Sequence, residues 1–191
     1  MKKFFLYAVA TTAIVLQSCS TDDEQNIIKQ QNYKYSVNTN YKTTVYNTID
    51  TILEGFNYND EKSLDENLLD FEIYVNKILP VYTEQGVVHQ TIDFNVLKDI
   101  IEKPDEVIHN LPYSNALKQY LQNPEYILDE KVLETDNEKE IFNNYIKFFE
   151  QDDDDKDERK RNIIAFFFGS QYNETQGILY AGATQMYLQN K

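Results

Sequence analysis

Ile163-Ile164-Ala165-Phe166-Phe167-Phe168 is the stretch that most narrows the choice of fold. Wound as a helix it is apolar on almost every side, and a helix without a polar face belongs at the centre of a core or in a membrane. Gln171, Asn173, Glu174 and Gln176 interrupt it well short of the roughly 20 apolar residues that a bilayer span requires, which leaves the core. Gly177, Ala181, Gly182 and Ala183 then offer a smooth helical surface onto which a neighbouring backbone or ring can close. The expectation is a core centred on Ile163 to Phe168, with the helix from Ile141 to Phe149 and the first two helices packed around it.

The rest of the chain reads mainly as helix. Tyr41, Val45, Thr48, Ile49, Ile52, Leu53 and Phe56 recur at three- and four-residue steps, and Gly55 to Asn59 would end the helix they define. Ser63 and Glu66 have capping-box spacing ahead of the stripe Leu64, Leu68, Phe71, Val75, Ile78 and Leu79, which Pro80 closes. Val87, Val88, Thr91 and Ile92 favour strands, and Glu84-Gln85-Gly86 can turn a hairpin. Asp93 to Glu102 reads as a short helix with Val96, Leu97, Ile100 and Ile101 inward, and Pro104, Pro112 and Pro124 each read as the first turn of a further short helix. Thr135 and Glu138 repeat the capping-box spacing before Ile141, Phe142, Tyr145, Ile146, Phe148 and Phe149. No repeat period emerges. The fold class expected is mainly α, an irregular or orthogonal helical bundle with a small hairpin near residues 81–92.

At the other end of the chain, Lys2 and Lys3 precede an uncharged apolar run from Phe4 to Leu16, and Ser18 stands before Cys19, the only cysteine of the sequence. A positive start, a short apolar stretch and a small residue at a cleavage point make a secretory signal. Leu16-Gln17-Ser18-Cys19 resembles the lipobox of bacterial lipoproteins, departing from it at Gln17, where a small or branched residue is usual. Relaxed lipoboxes of this kind are similar to those of Bacteroidota, and Ser20-Thr21-Asp22-Asp23-Glu24 is similar to the acidic string that sends some of their lipoproteins to the cell surface. The resemblance covers about the first 25 residues. It implies cleavage after Ser18 and acylation of Cys19, and it places the protein in the outer membrane, anchored by lipid, with the periplasmic and cell-surface faces both left open. Residues 1–18 are then a signal peptide, 19–38 an acylated polar tether and 39–191 a single helical domain.

Charge excludes several partners. The formal net charge is -14, and losing Lys2 and Lys3 with the signal takes it to -16. Nucleic-acid binding needs a basic footprint to displace counterions, and anionic lipid repels such a surface, so contact with the membrane is expected through the lipid anchor alone.

Catalytic chemistry has little to draw on. His89 and His109 are the only histidines, and Cys19 is committed to lipid. Glu106 and His109 have the Glu-x-x-His spacing of di-iron bundles, which need that pair on two helices; here it occurs once, and a solvated helix end is the simpler reading. The acid run Asp152 to Asp155 with Asp157 and Glu158 lacks the glycine and terminal acid of a calcium loop, since Asp157 and Ile163 stand at those positions, and reads as a solvated loop and helix start. No metal site, catalytic residue or cofactor is expected. The function expected is a non-enzymatic binding or accessory protein of the envelope, with a protein or glycan partner. Two alternatives remain open: an exported carboxylate-dependent hydrolase, because 32 acids make carboxylate pairs easy to form, and an inhibitor or immunity protein for a basic toxin, because strong negative charge steers cationic partners.

Overall fold

The apolar run forms the middle of a helical hairpin at the heart of the molecule, made by α7 (Lys156–Ser170) and α8 (Glu174–Gln189). The computed structural model describes residues 49–124, 128–148 and 156–190. The expected signal over 1–18, Cys19, the tether over 19–38, Tyr41, Val45 and Thr48 of the first helix, Phe149 and Asp152 to Asp155 lie outside the described residues. Among those described, six more helices precede the hairpin: α1 (Ile49–Glu54), α2 (Leu64–Ile78), α3 (Phe94–Glu102), α4 (Pro104–Asn110), α5 (Asn115–Gln122) and α6 (Asp136–Phe148). Strands β1 (Val81–Thr83) and β2 (Gly86–Val88) pair antiparallel between α2 and α3, with Tyr82 opposite Val87. The fold is thus mainly helical with one small hairpin.

Ile163, Ile164, Ala165, Phe166 and Phe167 are fully buried, and α3, α4, α5 and α6 pack against α7. Two expectations need correction here. Phe168 is only partly buried, meeting Tyr172 and Tyr180 at the outer end of the helix. The first two helices lie principally against α8 rather than α7. The reason is Gly182: a Cβ there would stand 2.5 Å from Cζ of Phe71, so only glycine lets that ring lie on the α8 backbone.

Local chemistry accounts for the helix ends. Ser63 and Glu66 close the full capping box of α2. Thr135 caps α6 by accepting from Glu138 N, but the Glu138 carboxylate turns away to other amides, so this box is half made. Pro104 stands in the first turn of α4 as expected. Pro112 and Pro124 do not open helices. They follow Leu111 and Asn123, the last caps of α4 and α5, because the residue before a proline is pushed out of the helical region. Ser114 caps α5 instead, its hydroxyl accepting from Leu117 N. Ile146, read as inward, is 50% exposed on α6. Gly86 takes φ 122° at the hairpin turn, the single positive φ among the described residues.

Candidate functional site

The strand signal in Thr91 and Ile92 does not become a strand. After β2 the chain runs extended from His89 to Asp93 between α2 and α8, and side chains from those two helices satisfy its backbone. Asn76 Oδ1 accepts from Gln90 N at 2.7 Å and Asn76 Nδ2 donates to Gln90 O at 2.8 Å. Glu72 Oε2 accepts from Ile92 N at 2.7 Å, and Gln176 Nε2 donates to Thr91 O at 2.7 Å. Tyr180 Oη accepts from Asp93 N at 3.1 Å, and Asn173 Nδ2 donates to Gln90 Oε1 at 2.7 Å. Gln90 and Ile92 of this segment are buried, and their amides would otherwise be orphaned, each at about the cost of a lost hydrogen bond. The seam therefore fixes both the hairpin and the entry to α3.

Glu72 also meets His89, whose Nε2 lies 3.2 Å from Oε1. This is the one imidazole–carboxylate pair among the described residues. Around it stand the amide side chains of Asn76 and Gln90, which hydrogen-bond but neither attack a substrate nor carry protons at neutral pH. The carboxylate is already engaged on both oxygens, and such a group is held as an anchor rather than poised as a base. Glu138 repeats the pattern. It is 3% exposed, and its two oxygens accept from Ser114 N and from Glu134 N, tying the start of α6 to the cap of α5.

Among the described acids, Glu174 is the one whose pKa is raised. Burial at the start of α8 raises its pKa above the usual carboxylate range, with Lys147 opposing the shift and Glu140 adding to it. Burial likewise pushes the Tyr180 hydroxyl up to about 12, partly offset by its bond to Asp93 N. The buried Tyr113 hydroxyl, raised by desolvation, donates to Phe167 O at 2.7 Å. These tyrosines are core members with a satisfied polar tip, as ring-bearing residues at helical spacing commonly are.

Glu106 and His109 are both exposed on α4, where Lys118 Nζ donates to His109 O at 2.9 Å, so the pair is a solvated helix end. Asp157 and Glu158 lie in the first turn of α7. His89 and His109 sit on different elements, and among the described residues no three His, Cys, Asp or Glu side chains gather as a metal site requires. No helix among the described residues is long and apolar enough to cross a membrane. The sequence reading missed Glu72, Asn76, Gln90, Asn173 and Gln176. The signal available for Glu72 was its place beside Leu68 and Val75 at the border of the apolar stripe of α2, where an acid has to find a partner.

No family model matches the sequence, and neither a curated protein nor a solved structure matches it.

Proposed function

We propose that this protein is anchored to the bacterial envelope by lipid on Cys19 and that its helical domain binds a partner without doing chemistry of its own. Anchoring rests on Leu16-Gln17-Ser18-Cys19 behind a positive, then apolar, start. The observation that carries the binding reading is the use of the buried acids: Glu138 spends both oxygens on backbone amides and Glu72 one on the Ile92 amide and one on His89, which favours a scaffold over carboxylate catalysis.

Two experiments test it. A Cys19→Ala precursor, fractionated beside the unaltered protein, is expected to leave the membrane pellet after a carbonate wash; retention would overturn the lipid anchor. A pull-down from envelope extracts is expected to recover a protein or glycan partner at both low and high ionic strength. If nothing binds while the domain hydrolyses a glycan or peptide, the protein is an enzyme. A basic protein held only at low salt would point to an inhibitor or immunity role.

A further inference from the structure

We draw no further inference here: the strongest candidate, the outward face of the extended segment 89–93, where exposed His89, Thr91 and Asp93 alternate with buried Gln90 and Ile92, carries nothing because nothing in the structure shows what covers it.

Discussion

α2 and α7 are both 15 residues long and both carry a block of aliphatic and aromatic side chains, yet they use it differently. α7 is enclosed by α3, α4, α5, α6 and α8, so its run from Ile163 to Phe167 is buried on every side. α2 buries one face on α8, binds the extended segment 89–93 along a second through Glu72 and Asn76, and leaves Leu69 and Ile73 in solvent on a third. Apolar content shows that a helix has something to bury. Whether the burial occurs within the chain depends on how many neighbours the topology supplies.

The largest expected effect follows from the enclosure of α7. Phe167 is fully buried with the rings of Tyr113, Tyr145 and Phe166 about it. Phe167→Ala should cost about 3–5 kcal/mol in chemical denaturation, a large share of the stability of a single domain. Phe168→Ala should cost distinctly less, since that ring is only partly buried. Equal losses at the two positions would break the contrast between the enclosed middle of the helix and its open end.

The polar seam beside α2 should be the next most sensitive region. Glu72→Ala leaves Ile92 N buried without its acceptor, at a cost of about 1–3 kcal/mol, and Glu72→Gln should recover most of it because an amide oxygen still accepts. Hydrogen exchange at the Ile92 amide reads this directly: protection should fall in the alanine variant and return in the glutamine variant. Unchanged protection in the alanine variant would mean that the segment 89–93 is held by packing instead.

These two regions also divide what could be seen in the sequence. The α7 core was legible because burial on all sides leaves an unbroken apolar run, and the α2 stripe and capping box were legible because both are periodic and local. The seam was not, since Asn76, Gln90, Asn173 and Gln176 look like surface amides until the fold brings residues 83 to 85 positions apart into contact. Glu138 misled for a related reason: its spacing from Thr135 announces a capping box, but burial beside Ser114 draws its carboxylate to a different helix. Pro112 and Pro124 were misassigned because a proline can open a helix or follow the end of one, and sequence alone does not separate the two.

Thr184 supplies a smaller test. It is fully buried on α8, and its hydroxyl is without a hydrogen-bond partner. Replacing an orphaned buried hydroxyl by a methyl of the same shape removes a desolvation cost, so Thr184→Val should stabilise by about 1 kcal/mol, or about 2–4 °C in Tm. A loss of stability would show that the core around α8 is tuned to the hydroxyl and is less oil-like than the middle of α7.

The smallest effect belongs to Glu174, where the hairpin reaches the surface. Burial raises its folded-state pKa above the unfolded value of 4.5, so the folded protein binds this proton more tightly than the unfolded chain does. The stability this group contributes is therefore fully present below the unfolded pKa and is lost as pH rises through the folded one, leaving a half-buried carboxylate as a mild liability at neutral pH. Lys147 and the helix N-terminus temper that liability, and Glu140 deepens it. Glu174→Gln removes the titration while keeping the size of the side chain. Its melting temperature should exceed that of the unaltered protein at neutral pH, and the difference should close as the solution is acidified toward pH 4, near the unfolded value. A difference that instead widened on acidification would mean that the charge of Glu174 is favoured by Lys147 and the helix end, and that this end of the hairpin behaves like the solvated face of α2 rather than the enclosed middle of α7.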